Sequence, residues 1–317
     1  MKIPSLNYNL FEDVFGIDKI NKEKFDASIL LSDLYIYFVD FQNILFKTDK
    51  IGNHEKIAII DSPTICLDPS GDIIFVQNKK IAQENKQTNI NCNGKFVIDN
   101  DIFVCSDFGN QEIITKYEFK TEKELCKSQL INIDQIRIFD NYLAIKNKEN
   151  ISLLDLSLNL LYSIPVTAEQ FALNKDLVFV TKNDILDQYI ICFDKEKLVW
   201  QYKLDGPPKS LTITDNFVIC NTDLSSFCFD YSGKIIWIKK PGFEDCTPFI
   251  DQTEHIIAVN GNMIKIYEIQ TGILVWKKSL NYPICGEPVI DRNGFAVSTY
   301  DGGGIHYFGA NKWNLNF

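Results

Sequence analysis

FDKEKLVWQYKL (193–204), FDYSGKIIWIKK (229–240) and YEIQTGILVWKK (267–278) are three versions of one text: an acid, a short turn, then an apolar run that ends in tryptophan. Counting a looser fourth copy, YFGANKWNLNF (307–317), the tryptophans stand at 200, 237, 276 and 313, at intervals of 37, 39 and 37. A fixed step of this size marks a repeat architecture. Moving back 38 residues from Trp200 gives LDLSLNLLYSIP (154–165) with Tyr162 in the tryptophan place, and a further 36 gives EFKTEKELCKS (118–128) with Cys126 there.

A second punctuation shares that step. Asp or Asn ends one apolar run just before another begins, a hairpin signal, at Asp33, Asp68, Asp99, Asp140, Asn174, Asp215, Asp251 and Asp291. From 33 to 291 is 258 residues in seven steps, about 37 per step. Residues 247–278 show what one step contains: PFI, HIIAV, MIKIYE and ILVWKK, four β-prone runs divided by DQTE, NGN and QTG. Asn260-Gly261 suits a type I′ turn, whose two central positions both need positive φ. The inner runs are apolar on both faces, as sheets buried between neighbours must be. Four-stranded sheets repeated every ~40 residues predict an all-β propeller. A β-sandwich has no reason to repeat one hairpin at a constant step, and a solenoid of this period would show helices.

Eight antiparallel four-stranded blades are expected, or seven if the short interval from Asp68 to Asp99, 31 residues, holds an incomplete blade. Residues 27–317 read as one propeller domain, and residues 1–26 as an extension able to supply an edge strand where the ring closes.

Composition narrows the function classes. The 317 residues are 45% hydrophobic and 23% charged, with 16 Gly and 10 Pro scattered and no linker-like run. The N-terminal MKIPSLNYNLFEDVFGIDKINKEKFD carries charges throughout, and the most apolar stretch, residues 28–39, is interrupted by Asp33 and falls short of the ~20 residues of a spanning helix. A cytoplasmic monomer without membrane attachment is expected. The nine cysteines form no CxxC pair, and Cys192 with Cys228, and Cys105 with Cys220, recur at equivalent strand positions, which reads as small buried apolar residues. Lys+Arg total 32 against 42 Asp+Glu, a net charge of −10, with no basic stripe, so nucleic-acid binding is disfavoured.

YEIQTGILVW resembles the repeat of the quinoprotein (PQQ) propellers, in which an acid, a Thr-Gly turn and a Trp dock neighbouring blades. Glu268, Thr271, Gly272 and Trp276 match it, and Asp230, Ser232, Gly233 and Trp237 match with one residue deleted. The resemblance is good over residues 170–317 and only periodic before that. It implies that Tyr162, Trp200, Trp237, Trp276 and Trp313 lie between blades, each indole N–H reaching a backbone acceptor. Quinone-using members of that family are exported and longer, with adjacent cysteines and calcium ligands, and none of these features is matched. No cofactor is expected.

No catalytic or metal site is expected either. His54, His255 and His306 are isolated, and neither GxSxG, HExxH nor a phosphate loop occurs. DGGGIHYF (301–308) could cradle an anion, but glycine is wanted there for the hairpin turn alone.

Binding surfaces on propellers gather on loops held by rigid blades. The hairpin between second and third strands and the crossover from one blade to the next share one end of each blade. These segments carry Asp107, Asp184, Asp187, Asp205, Asp223, Glu244, Asp245, Glu287 and Asp301, opposed only by Lys182, with Phe108, Phe243, Tyr282 and Tyr300 interleaved. The reading that follows is a protein-binding face for a basic partner, with rings as anchors and carboxylates steering approach, for instance in an inhibitor or immunity-type protein of a cationic toxin or enzyme. Turn chemistry alone also places Asp and Gly in loops. The competing class is a small-molecule or carbohydrate site in the central channel, where the first strands supply few ionisable groups besides Arg137.

Overall fold

The fold is that of a β-propeller, and the computed structural model builds it from strands alone. It describes residues 11–15, 29–32, 35–39, 43–49, 54–61, 65–67, 72–84, 86–92, 96–99, 102–107, 112–130, 133–139, 142–174, 177–184, 187–243, 245–249, 255–290, 294–299 and 304–309. These residues form eight four-stranded antiparallel sheets. Seven are built from four consecutive strands, beginning at Ile29, Ile65, Phe96, Gln135, Gln170, Pro208 and Asp245. The short interval after Asp68 holds the three remaining strands of a complete second sheet, because the third and fourth are only Lys80–Gln83 and Lys86–Asn91. The eighth sheet takes three strands from the end of the chain, Ile284–Ile290, Gly294–Thr299 and Gly304–Gly309, and its fourth from the beginning, Phe11–Phe15.

The chain packs as two compact units, Ala58–Phe243 and Met1–Ile57 with Glu244–Phe317. Within the first, the core is a series of apolar layers between successive sheets. Ala144, Leu153 and Ile164 of the fourth sheet meet Phe171, Val178 and Val180 of the fifth, and Phe179, Ile190 and Cys192 of the fifth meet Val218, Phe227 and Phe229 of the sixth. This explains why middle strands such as Phe217–Thr222 are buried on both faces. Within the second unit a like layer joins Ile257, Ile264 and Ile266 to Phe295, Val297 and Phe308.

A β-bulge recurs where the fourth strand pairs with the third. In the fifth sheet Cys192 faces Trp200 and Phe193 faces Leu198, which leaves Val199 unpaired. The same skip passes over Leu125, Leu161, Ile236 and Val275 in the third, fourth, sixth and seventh sheets. One extra residue re-aims the strand, so the next side chain, Cys126, Tyr162, Trp200 or Trp276, turns into the layer against the following sheet.

The Asn260 hairpin is not the expected type I′ turn. Asn260 pairs with Met263, so the central residues are Gly261 and Asn262, and only Gly261 has positive φ (+59°). Glycine at the first central place with an ordinary second residue is the type II′ pattern.

Candidate functional site at the hairpins and crossovers

In the Ala58–Phe243 unit, hairpins and crossovers meet at one end of the sheets, tied by side chains. Asp205, in the crossover from the fifth to the sixth sheet, accepts hydrogen bonds from Thr222 Oγ1 at 2.9 Å and from Ser225 Oγ, both in the hairpin of the sixth. Thr222 also shapes that hairpin, its hydroxyl accepting from the backbone N–H of Leu224 at 3.2 Å and of Ser225 at 2.9 Å. Asp223 and Leu224 thereby point outward, and Leu224 is 56% exposed.

The carboxylates of this end are not a bare acidic surface. Lys182 pairs with Asp184 at 2.7 Å, Lys209 with Asp223 at 2.7 Å and Lys240 with Asp205 at 3.4 Å, while Lys203 bonds to Asp187. Three of these lysines, 203, 209 and 240, lie outside the loop segments that carry the acids. They sit on or just beyond the ends of adjoining strands, and strand pairing carries them across to the loop acids. The pairs are mostly exposed, and such bridges are individually worth ~0–1 kcal/mol. Burial pushes the Asp205 carboxyl up, but the Ser225 and Thr222 hydroxyls and the Lys240 ammonium outweigh it and hold it below its ordinary range.

The remaining candidates divide. Phe243, expected as a ring offered to a partner, is only 3% exposed and packs 6.4 Å from the Trp237 ring, so it belongs to the core. That is a correction: a ring beside a crossover gains more from a neighbouring apolar layer than from water. In the other unit Tyr282 is 42% exposed. Asp107 and Asp245 end and open strands, their side chains outside the described residues. Phe108, Tyr300, Asp301 and Trp313 lie outside the described residues altogether.

Arg137, on the first strand of the fourth sheet, is engaged within its own unit. It donates to the Phe171 carbonyl at 3.0 Å and lies over the Phe171 ring at 5.0 Å. With its amide oxygen turned toward the guanidinium, Gln135 accepts from Nε at 3.1 Å and from Nη2 at 2.9 Å. His255 and His306 are buried in strands. Among the described residues no three His, Cys, Asp or Glu side chains gather as a metal site, and no helix is long and apolar enough to cross a membrane.

The tryptophan places are described at five sheets, with Cys126 of the third packed on the layer against the fourth. Trp200 donates to the Tyr231 carbonyl of the sixth sheet at 2.9 Å and stacks on Phe229, centroids 5.6 Å apart. Tyr231 in turn bonds through its hydroxyl to Asn174 and to the Thr214 carbonyl. Trp276 meets Phe295 and Phe308 edge-on at 6.3 and 5.8 Å, Trp237 is 8% exposed, and Tyr162 packs on the layer between the fourth and fifth sheets.

No family model and no curated protein matches this chain. Among solved structures it is similar to the computationally designed Ika8 protein, with a TM-score of 0.67 at 13% identity over 90% of this chain and 98% of that one. It is similar to BamB from Moraxella catarrhalis, with a TM-score of 0.62 at 11% identity over 97% and 100% of the two chains. The Dos1 propeller follows, with a TM-score of 0.54 at 14% identity over 90% and 78%. At such identities these likenesses establish the β-propeller fold and leave activity to be argued from the chain's own residues.

Proposed function

We propose that this chain is a non-enzymatic binding protein that takes a protein partner on the hairpin and crossover end of its sheets. The observation that carries the reading is Leu224: an aliphatic side chain 56% exposed at the tip of a hairpin that Thr222 and Asp205 make rigid. A pre-ordered apolar tip loses little freedom on docking, so its burial counts nearly in full. The ion pairs around it suit a basic partner, because an arginine can take Asp184 or Asp223 in two-pronged fashion and displace a lysine held by a weak exposed bridge. An inhibitor or immunity-type role toward a basic toxin or enzyme is the concrete form of this proposal. Affiliation with the quinoprotein-like propellers is part of it, supported by the Glu268 carboxylate accepting from Thr271 Oγ1 at 2.6 Å and by positive φ (+65°) at Gly272.

The test is affinity capture from native lysate by the wild-type chain and by Leu224→Asp and Asp184→Lys/Asp223→Lys variants that melt at the wild-type temperature. A protein retained by the wild type and lost from both variants supports the reading. Equal retention by all three removes this surface from it.

A further inference from the structure

The bulge in the fourth strand has a second effect besides turning a ring inward. It leaves two successive side chains on the outer side, Glu124 and Leu125 in the third sheet, Leu160 and Leu161 in the fourth, Leu198 and Val199 in the fifth, and the five apolar ones are between 46% and 61% exposed. Polar residues would occupy outward bulge positions at no packing cost, so the bulge accounts for the placement and not for the chemistry. Five large apolar side chains left in water at one repeated place offer apolar surface that another molecule can cover.

Charge on the same strands runs against the rest of the chain. Lys123–Leu130 and Lys197–Lys203 carry Lys123, Lys127, Lys197 and Lys203 against one acid, Glu124, whereas the whole chain has 32 basic and 42 acidic residues. Lys127 pairs with Glu124 at 2.7 Å and Lys203 with Asp187, which leaves Lys123 and Lys197 to meet a partner's carboxylates. Lysines and bulges are both devices that keep a sheet edge from pairing with a stray strand, and the bulge disfavours strand addition here. Neither device calls for exposed leucine. A second copy of the chain laid on this surface would set lysine against lysine.

We propose that the outer edges of the third, fourth and fifth sheets dock an acidic segment of another protein by side-chain contact, its apolar residues against the leucines and valine and its carboxylates against the lysines. The leucines, the valine, Lys123 and Lys197 lie at the beginning of the fourth strands, and only Lys203, bonded to Asp187, belongs also to the hairpin and crossover end, so this surface stands or falls independently of the partner proposed there.

The probe is a photoreactive phenylalanine placed at Leu161 of the full chain and irradiated in cells, with mass spectrometry of the cross-linked segment. The expected product is a segment with a clear excess of Asp and Glu, and Lys123→Glu/Lys197→Glu should lower its yield about tenfold through like-charge repulsion, with the melting temperature unchanged. Cross-links to lipid, to a second copy of this chain or to a segment without acidic excess overturn the proposal. So does an acidic product whose yield the charge reversal leaves alone, or the absence of any product.

Discussion

Trp200 lies directly against Gly233, with no room between them for a methyl group. A Cβ added to Gly233 would stand 2.7 Å from the indole Cγ and 2.8 Å from Cδ2, and the glycine has φ +87°. The fifth sheet is thus keyed to the turn of the sixth, and Trp200 Nε1 closes the joint on Tyr231 O.

Gly233→Ala is expected to destabilise the chain on two counts: ~1–2 kcal/mol for positive φ in an L-residue, and a further clash with the indole. Trp200→Ala should cost about 3 kcal/mol, the low end for a large aromatic because the ring is only part-buried. In the double variant the clash vanishes, so the two effects should sum to more than the measured loss by urea unfolding. Strict additivity would show that the ring and the glycine do not press on each other.

The same left-handed turn position recurs without glycine at Glu122 (φ 57°) and Leu158 (64°), and Lys195 (54°), the first residue of the two-residue hairpin between Asp194 and Lys197, is left-handed as well. Lys195 is exposed, so Lys195→Gly should stabilise by ~0.5–1 kcal/mol, having backbone strain to relieve and no packing to lose. Leu158 is 5% exposed within the layer between the third and fourth sheets. Leu158→Gly should therefore lose ~2 kcal/mol or more despite the same relief. Paired melting curves of the two variants shifting in one direction would contradict this account.

Acids in these turns make stability fall on the acid side. Asp155 is held below its ordinary range first by the Asn159 side chain and then by backbone N–H groups of Asn159 and Ser157. Asp230 is held there chiefly by the Ser232 hydroxyl, against some burial, and Glu122 by the Asn89 N–H and Lys86. A carboxyl lowered in the folded state contributes stability that is present above its unfolded value near pH ~4 and is lost as pH falls through the folded one. The unfolding midpoint in urea should drop below about pH 4, and Asp230→Asn should flatten that limb. An acid limb of unchanged slope in the variant would remove Asp230 from the cause.

Burial pushes the Cys192 thiol up to about 12, with a smaller push from Asp194. The thiolate is the reactive form, so Cys192 should escape maleimide in the folded chain at pH 8 and react only on unfolding. Rapid native labelling, located by peptide mapping, would count against the layer between the fifth and sixth sheets.

Much of the fold is legible along the chain because a repeated sheet imposes a repeated text. Trp200, Trp237 and Trp276 stand one step apart since each follows the same bulge in its fourth strand, and Trp200 and Trp276 there close a sheet onto the next. In the earlier sheets that text fades: Cys126 and Tyr162 do the same work with less surface, and Glu122 or Leu158 replaces the turn glycine. Residues 1–26 read as able to supply an edge strand, but nothing local sets Phe11–Phe15 beside its partner, Gly304–Gly309, at the opposite end of the chain.

The candidate surface was only half readable. Loop acids show as loop acids, but Lys203 and Lys209 belong to strands, and what sets them beside Asp187 and Asp223 is strand pairing over gaps of 16 and 14 residues. Phe243 likewise looks like a loop ring until the layer holding Trp237 is in place. The bulges are similar: LVW and LLY read as plain apolar runs, and nothing local says that one residue is skipped so that the last turns inward.

By itself, then, the chain's text determined the sheets, their step and the rings that join them, since local β-propensity and a period of ~37 residues are properties of neighbours along the backbone. Which charges cancel, which rings are hidden and which leucines stay in water was decided only by tertiary structure. Those outcomes depend on distances between residues that sequence separation does not measure, and on burial, which belongs to a packed layer and not to any one strand.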